Sequence, residues 1–550
     1  MSTPDLHRPV TPSPKGTGHS PPEDTGHPSP EGADRLSPEG TGHPSRRRHR
    51  LTLLAVALGV MMVSLDGTIV HVANPTIAKD LGSSLAGLQW VTNGYLLALA
   101  VALILGGKLG DRFGRRRVFV IGVAGFALTS LGCALSASTE ILVAFRVLQG
   151  LSGAMLVPNT LAILRATFPP AELNRAIGVW GGASALAAAS GPIVGGLLVE
   201  HVSWESIFVL NLPLGLVAAF CALRWVRETR ATTRTGGLDL PGVTLLSGGL
   251  LLVVWSLIRT QEHGWTSPYV LVPGVVGLVL LGLFVLRERR AADPLLPLPL
   301  FRSRSLSVGV ALVVSGFFAL YGVLFFVGLY LQNVHHYSPV ETGVRMLPLT
   351  AVFAFGAPLG GLLTERFGPR WPLLSGMLML AGTFYGLTGL EADSPYGEQW
   401  PYFVILGLGM GLVTVASTEA IVGNAPIEHG GVAGGLQTTA NQLGGVLGTT
   451  VLGSVVIAAV GSGLPGALDA AGVPGEVAAS VAANPGIVGQ GLTPVIPGTS
   501  DRIMAAVTDA STRAFMDGLH AAMWVGVGAT LVSALLALLI RRREFGERGE

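Results

Sequence analysis

The feature that most constrains this 550-residue chain is a succession of fourteen apolar segments, each about 20 residues long. A helix of that length crosses the ~30 Å hydrocarbon core of a bilayer. Only 12% of the residues are charged, whereas soluble domains carry about 25%. The sequence therefore predicts an all-α polytopic membrane protein with fourteen transmembrane helices. The predicted spans lie near residues 51–73, 86–106, 118–137, 140–163, 176–199, 205–224, 240–258, 268–287, 307–332, 342–364, 371–390, 401–423, 432–460 and 518–540.

Lysine and arginine are distributed unevenly between the two sides of these spans. Of the 35 such residues, 26 fall beside spans on the side that holds the N-terminus and only five fall on the other side. Cytoplasmic segments of membrane proteins carry an excess of Lys and Arg. The distribution therefore predicts a multi-pass protein of the cell membrane with both termini in the cytoplasm.

The first and last residues of the chain differ from the rest in composition. Residues 1–50 are predicted to form a disordered cytoplasmic tail, because they repeat short Pro, Gly, Ser and His motifs and contain no apolar run. Residues 541–550 are predicted to form a second cytoplasmic tail.

Two loops share one pattern, which indicates an internal duplication. The segments "GKLGDRFGRR" at 107–116 and "GLLTERFGPR" at 361–370 follow the second and the tenth span. This spacing predicts an N-terminal six-helix half at 51–230 and a C-terminal half at 301–540 that includes an outer loop at 461–517. The two spans between them, at 231–300, form an insert and linker. Transporters with duplicated halves bind their substrates between the halves.

The repeated loop has the residues of a cytoplasmic gate. Its glycines allow two helix ends to approach, and its acid can pair with a neighbouring helix end and hold the cytoplasmic side closed. Alternatively, its basic residues only fix the orientation of the protein. The candidate gate residues are Gly107, Asp111, Arg112, Gly114, Arg116, Glu365 and Arg366.

Four motifs give the chain a resemblance to a known family. They are "LDGTIVHVANP" at 65–75, "GKLGDRFGRRR" at 107–117, "LVAFRVLQGLSGA" at 142–154 and "GGASALAAASGPIVGG" at 181–196. With them, residues 50–540 resemble the major facilitator superfamily, and specifically its fourteen-helix drug:proton antiporters of the EmrB/QacA type. The chain departs from the usual pattern at His71 and Asn74, where Asn and Leu are common, and at Glu205, where Arg is usual. The resemblance implies transport but does not identify the substrate.

Asp66 and Arg146 are the candidate proton-coupling residues. A charge at the centre of a span costs at least ~2.5–3.5 kcal/mol and is kept where it is paired, faces a cavity or is neutralised. Asp66 can therefore exchange protons, or it can cap a local helix break near Gly67 or Pro75. Arg146 stays charged, and it either modulates Asp66 or donates hydrogen bonds to neighbouring carbonyl groups.

The antiporter motif of the fifth span consists of Gly182, Gly191, Pro192, Gly195 and Gly196. Small residues allow close helix packing, and proline bends a helix. The motif is predicted to form a bent, leak-proof seam between the halves, or else ordinary small-residue packing.

Four further residues are candidates for substrate binding. Trp90, Asn93 and Tyr95 can line a pocket, although Trp90 also suits an interfacial anchor. Glu419 is either a second intramembrane acid for a cation or a proton, or an interfacial carboxylate. We expect no metal and no cofactor, because the sequence has no phosphate-binding loop and no zinc pattern.

The sequence predicts proton-coupled efflux of hydrophobic small molecules, such as drugs, antibiotics or toxic metabolites, by alternating access. A dedicated exporter of one secondary metabolite and a membrane-embedded sensor are the alternatives. The chain is not predicted to be an enzyme or to bind nucleic acid. Its partners are the substrate, protons and the lipid bilayer, and a monomer is compatible with the sequence.

Overall fold

The computed structural model describes residues 46–230, 239–291, 294–296, 298–425 and 430–540. Within these ranges the regular secondary structure is entirely helical, which confirms the all-α prediction. The predicted tails at 1–45 and 541–550 and the linker residues 231–238 lie outside the described ranges. Residues 46–50, predicted to belong to the tail, begin the first helix.

Eighteen α-helices follow one another along the described residues. In chain order they are α1 (Arg46–Leu81), α2 (Leu85–Phe113), α3 (Arg115–Ala134), α4 (Thr139–Thr167), α5 (Pro170–His201), α6 (Ser206–Val209), α7 (Asn211–Trp225), α8 (Leu240–His263), α9 (Pro268–Arg290), α10 (Arg304–Leu329), α11 (Pro339–Arg345), α12 (Leu347–Phe367), α13 (Arg370–Leu387), α14 (Tyr396–Val422), α15 (Gly430–Ala470), α16 (Gly475–Ala482), α17 (Pro485–Val488) and α18 (Asp501–Ala537). A 3₁₀-helix precedes α10 and a π-helix, Tyr330–Val334, follows it.

Among the described residues, twelve helical segments are long and apolar enough to cross a membrane. Helix α5 makes a thirteenth if its two parts, which meet at an angle of 42°, count as one span. Helix α13 has 18 residues and is not among the twelve, because Arg370, Trp371 and Pro372 at its start lower its mean hydropathy. The structure thus supports at least twelve of the fourteen predicted crossings.

The predicted outer loop at 461–517 is largely helical. Helix α15 continues to Ala470, α16 and α17 follow, and α18 already begins at Asp501. Helices α15 and α18 extend beyond the predicted spans at 432–460 and 518–540, because a helix can continue past the apolar segment that crosses the membrane.

The helices pack as two groups, with a helix pair on one flank of the contact between them. In the first group, α1 packs against α5 and α7, while α4 packs against α2 and α3. In the second, α10 packs against α14 and α15, α12 against α14, and α18 against α13 and α15. Helices α8 and α9 pack against each other, and α8 also contacts α2 and α15.

One end of the bundle, here called the arginine-rich end, holds the start of α1, the α2–α3 turn and the end of α7. There Arg48 Nε donates to the carbonyl oxygen of Trp225 at 2.9 Å, and the amide of Arg115 donates to the carbonyl oxygen of Thr229 at 3.0 Å. The opposite end, here called the far end, holds the α1–α2 turn. There the indole of Trp204 donates to Asp80 at 2.8 Å.

The two helix groups meet mainly toward the far end. Gln89 of α2 donates to the carbonyl oxygen of Thr449 in α15 at 3.0 Å, and Gln332 donates to the carbonyl oxygen of Val72 in α1 at 3.0 Å. A Cβ on Gly196 of α5 would lie 2.5 Å from the carbonyl oxygen of Pro339. Toward the arginine-rich end the same helices are less crowded, because a Cβ on Gly181, Gly182, Gly434 or Gly435 would meet no atom within 4 Å.

Candidate functional site

Asp66 and Arg146 meet in the interior of the first helix group. Asp66 lies on α1 and Arg146 on α4, and the guanidinium donates a hydrogen bond to Oδ2 of the carboxylate. Both residues are only 1% exposed. The two buried charges that the sequence singled out are therefore partners of each other.

Three uncharged side chains complete the surroundings of the carboxylate. Gln149 Nε2 donates to Asp66 Oδ1 at 2.9 Å, and Asn211 Nδ2 lies 3.4 Å from the same oxygen. The hydroxyl of Ser130 accepts from Gln149 at 2.6 Å and from Asn211 at 3.2 Å. Helices α1, α3, α4 and α7 thus each contribute one side chain or more, and the hydrogen bonds offset part of the cost of burying the charge.

Arg146 has further partners besides Asp66. Its Nε donates to the carbonyl oxygen of Val91 at 3.0 Å, and its Nη1 donates to Gln149 Oε1 at 2.7 Å. Its guanidinium lies 4.2 Å from the ring centroid of Tyr95. At this distance the face of the aromatic ring attracts the positive charge of the guanidinium. Arg146 therefore makes both of the contacts considered for it, the ion pair with Asp66 and a hydrogen bond to a carbonyl oxygen.

The alternative in which Asp66 caps a helix break is not supported. Helix α1 is continuous across Gly67 and Pro75, and the carboxylate bonds to side chains of other helices. Sequence reasoning missed Gln149, Ser130 and Asn211. Gln149 had a signal, because it lies one helical turn after Arg146.

The candidate substrate residues do not form a single pocket. Trp90 packs against Trp255 of α8 with ring centroids 5.6 Å apart. Asn93 exchanges hydrogen bonds with two threonines of α15 at 2.6 and 2.8 Å. Tyr95 lies under Arg146 and donates to the carbonyl oxygen of Val63 at 3.1 Å. Glu419 is exposed on α14.

The gate candidates of the first loop lie at the arginine-rich end. Asp111 accepts hydrogen bonds from Arg115, the first residue of α3, at 2.8 and 3.0 Å. Arg116 Nη1 donates to the carbonyl oxygen of Val226 at 3.1 Å. Arg112 is exposed, with its guanidinium over the ring of Phe113. The acid therefore pairs with a neighbouring helix end, as expected, and the other contacts join this loop to the segment after α7.

Both repeated loops end in a glycine with a positive φ. The φ angle is 114° at Gly114 and 78° at Gly368, a conformation that glycine adopts without the penalty of a Cβ. At Gly114 a Cβ would also lie 2.6 Å from the carboxylate of Glu228, which accepts from the backbone amides of Arg116 and Arg117. Sequence reasoning missed this cap on α3. Gly107 packs near Pro158, and in the second loop Glu365 and Arg366 are exposed.

The glycine motif of α5 lies mostly against α1. A Cβ on Gly191 would lie 2.1 Å from Thr68 Oγ1, and one on Gly195 would lie 2.8 Å from the side chain of Ile69. A Cβ on Gly343 of α11 would lie 2.2 Å from the carbonyl oxygen of Pro192. Gly191 and Gly195 thus lie at a seam inside the first helix group, whereas Gly196 and Pro192 face the second group.

The described residues contain helices long and apolar enough for at least twelve membrane crossings, packed in two groups, with a buried ion pair inside the first group. These features define a multi-pass membrane protein. Residues 56–449 match the model of the Major Facilitator Superfamily. The chain belongs to that superfamily, whose members carry small-molecule substrates across membranes.

Named relatives and solved structures agree with this assignment. The chain is 48% identical over 500 residues to the tetracenomycin C resistance and export protein of Streptomyces glaucescens, covering 90% of this chain and 92% of the relative. It is 38% identical over 416 residues to the multidrug resistance protein Stp of Mycobacterium tuberculosis, covering 75% and 76%. A bacterial homolog of the human lysosomal transporter Spinster shares the fold, with a TM-score of 0.62 and 21% identity over 90% of this chain and 97% of that one. The relatives' names agree with the efflux function expected from the sequence.

Proposed function

We propose that this chain is a proton-driven exporter of hydrophobic small molecules, with Asp66 as its proton-exchanging group. The observation that carries the proposal is the buried carboxylate of Asp66 between Arg146, Gln149 and Asn211. A transporter without a nucleotide-binding motif draws its energy from an ion gradient, and a carboxylate is the side chain best suited to bind and release a proton.

The surroundings of Asp66 allow it to exist in two states. Ionised, the carboxylate pairs with Arg146 and accepts one hydrogen bond from the amide of Gln149. Protonated, it loses the ion pair, while Arg146 retains the carbonyl oxygen of Val91 and Oε1 of Gln149 as acceptors. Because breaking a buried pair leaves an uncompensated charge, proton binding changes the packing energy between α1 and α4. That change is the link between protonation and the movement of the helices.

The exporter works by alternating access between the two helix groups. In the present arrangement the groups meet at the far end and separate at the arginine-rich end. We assign the arginine-rich end and both termini to the cytoplasm, in keeping with the excess of arginine there. The present arrangement then receives substrate from the cell interior, and opening of the far end releases it outside.

The chain is assigned to the fourteen-helix drug:proton antiporters. We count the bent helix α5 and the 18-residue helix α13 as crossings in addition to the twelve clear spans of the described residues, which gives the fourteen crossings of this proposal. Residues 51–230 and 301–540 are the two halves, and the insert at 231–300 contains α8 and α9. In the opposite arrangement, which is open to the outside, Asp111 and its loop close the cytoplasmic side, and Gly191 and Gly195 keep α1 and α5 in close contact.

A second candidate is an exporter dedicated to one metabolite. It is favoured by the relative that is 48% identical over 90% of this chain, because its name contains a single compound, tetracenomycin C. Growth of a sensitive host on a panel of structurally unrelated toxic compounds, with and without the protein, separates the two candidates. Resistance to one chemical type alone favours the dedicated exporter.

Transport in inverted membrane vesicles tests the proposal. With an acid interior imposed, vesicles that contain the protein should accumulate a fluorescent hydrophobic dye, and a protonophore should abolish the accumulation. The Asp66→Asn variant at equal protein level should accumulate no more dye than empty vesicles. Accumulation that continues when the proton gradient is collapsed would show that the energy source is not the proton.

A further inference from the structure

One face of α1 carries two buried polar side chains that the proton-exchange cluster does not use. Gly67, His71 and Asn74 are separated by four and three residues, so they lie on the same side of the helix. His71 is 2% exposed and Asn74 is 1% exposed. Among the described residues, neither ring nitrogen of His71 and neither amide atom of Asn74 has a hydrogen-bond partner in the protein.

An aromatic stripe on α10 faces this side of α1. Phe317, Tyr321 and Phe325 follow one another at four-residue spacing, and the rings of Phe317 and Tyr321 are stacked with centroids 6.3 Å apart. The ring of His71 lies 5.5 Å from that of Tyr321 and 6.4 Å from that of Phe325. The polar face of α1 and the aromatic stripe of α10 therefore lie against each other, at the contact between the first helix group and the second.

Two glycines allow Tyr321 to come close to the backbones of its neighbours. A Cβ on Gly67 would lie 3.4 Å from the Tyr321 hydroxyl, and a Cβ on Gly445 of α15 would lie 3.1 Å from the Tyr321 ring. Gly67 directly follows Asp66 in the chain. The stripe therefore adjoins the proton-exchange cluster without being part of it.

Four hydrogen-bonding atoms without partners are unusual in a protein interior. A buried donor or acceptor left unsatisfied costs about 1–3 kcal/mol, and native structures satisfy nearly all of them. His71 and Asn74 together offer both donors and acceptors. Aromatic rings beside them favour a flat, stacked partner.

We propose that His71 and Asn74, together with Phe317, Tyr321 and Phe325, form a substrate subsite for a flat aromatic molecule that carries hydroxyl and carbonyl groups on its edge. The ring system stacks against the stripe, and His71 and Asn74 bond to the oxygens of the edge. This inference rests on the proposed export function and names the substrate class of that exporter.

Equilibrium binding to the purified full-length protein in lipid nanodiscs tests the subsite without any gradient. The probes are 2,6-dihydroxyanthraquinone, whose hydroxyl groups lie too far from its carbonyl groups to bond to them, and its dimethyl ether, which has the same ring system but no hydroxyl donors. Their fluorescence reports the bound fraction. Wild-type protein should bind the dihydroxy probe saturably and at least tenfold more tightly than the ether.

Two variants remove the polar atoms and keep much of the shape. His71→Phe retains an aromatic ring, and Asn74→Leu retains a branched side chain of similar size without the amide. Each should weaken binding of the dihydroxy probe about tenfold and bring it close to the affinity for the ether, which a purely structural change would not do. Thr364→Val is the matched control, because it removes a buried hydroxyl on α12 that also has no partner, and its binding should equal that of the wild type.

Three results would overturn the inference. Failure of wild-type protein to bind the dihydroxy probe rejects the substrate class. An unchanged melting temperature shows that a variant is folded. If one folded variant keeps full affinity and selectivity, its residue does not belong to the subsite. If both variants keep them, the subsite is rejected. Equal weakening in Thr364→Val shows an effect of packing alone. Failure of the export proposal is distinguishable, because it leaves binding intact and abolishes only gradient-driven transport.

Discussion

The carboxylate of Asp66 and the guanidinium of Arg146 form an ion pair between α1 and α4, and neither side chain exposes more than 1% of its surface. Such a pair is costly to bury and costlier to break, since removal of one partner leaves an unpaired charge worth about 3–5 kcal/mol. Well-packed apolar side chains in the same place often stabilise a protein as much as a buried ion pair or more. The presence of this ion pair therefore favours a functional role for it.

Asp66→Asn should abolish proton-driven export while leaving the protein in the membrane. The amide nearly preserves the shape and part of the hydrogen bonding of the carboxylate, but it cannot gain or lose a proton near neutral pH. Export in vesicles should fall to the level of empty vesicles, and its pH dependence should flatten. Undiminished, gradient-sensitive export by this variant would transfer the role to another acid, and Glu419 is then the next residue to test.

Gly191→Leu should strongly reduce export, because even a Cβ at this position would lie 2.1 Å from Thr68 Oγ1. The larger side chain forces α5 away from α1. Gly182→Leu is the matched control in the same motif, since a Cβ there meets no atom within 4 Å. Transport rates are measured at equal protein level. Equal rates for the two variants would show that close packing of α5 on α1 is not required.

Asp111→Asn should slow export several-fold without affecting insertion, because it weakens the pair with Arg115 at the arginine-rich end. Ion pairs four residues apart contribute only about 0.3–0.5 kcal/mol, so a loss of overall stability does not account for the effect. Asp509→Asn is the control, since it removes a pair of the same spacing with Arg513 in α18 that is more exposed than the pair of Asp111. If both variants transport at the wild-type rate, the loop only sets orientation.

Labelling of single cysteines should establish the orientation of the bundle. Ser462 in α15 and Glu365 at the end of α12 are both exposed, and the native Cys133 and Cys221 are buried. An impermeant maleimide should label Ser462→Cys in intact cells and Glu365→Cys only after permeabilisation. The reverse pattern would place the arginine-rich end outside the cell.

His335 should make the far end less stable in acid. Burial, and next the guanidinium of Arg345, lower the pKa of His335 below its ordinary value, while Asp393 opposes the shift. A group with a lowered pKa contributes stability above its unfolded pKa of about 6.5 and loses it as the pH falls. The melting temperature should therefore drop between pH 7.5 and 5.5, and less so in His335→Gln. His201→Gln, which alters an exposed histidine, should keep the wild-type slope.

The sequence was sufficient to predict the helices and the two charged residues of the site, because apolar length and an intramembrane charge are both local signals. It could not show that Asn211 and Ser130 complete the surroundings of Asp66, since uncharged polar residues are frequent in membrane helices and their partners depend on packing. The same limit applies to Asn93, whose partners in α15 lie more than 350 residues away in the chain.

Helix α8 covers the flank where α2 and α15 meet. Thr260 Oγ1 donates to Ser454 Oγ of α15 at 3.0 Å, Ser454 also donates to the carbonyl oxygen of Leu257 at 2.9 Å, and Trp255 packs against Trp90 of α2. Helix α9 packs on α8, so a compound dissolved in the lipid and arriving from this side meets α9 and α8 before it reaches the contact between α2 and α15.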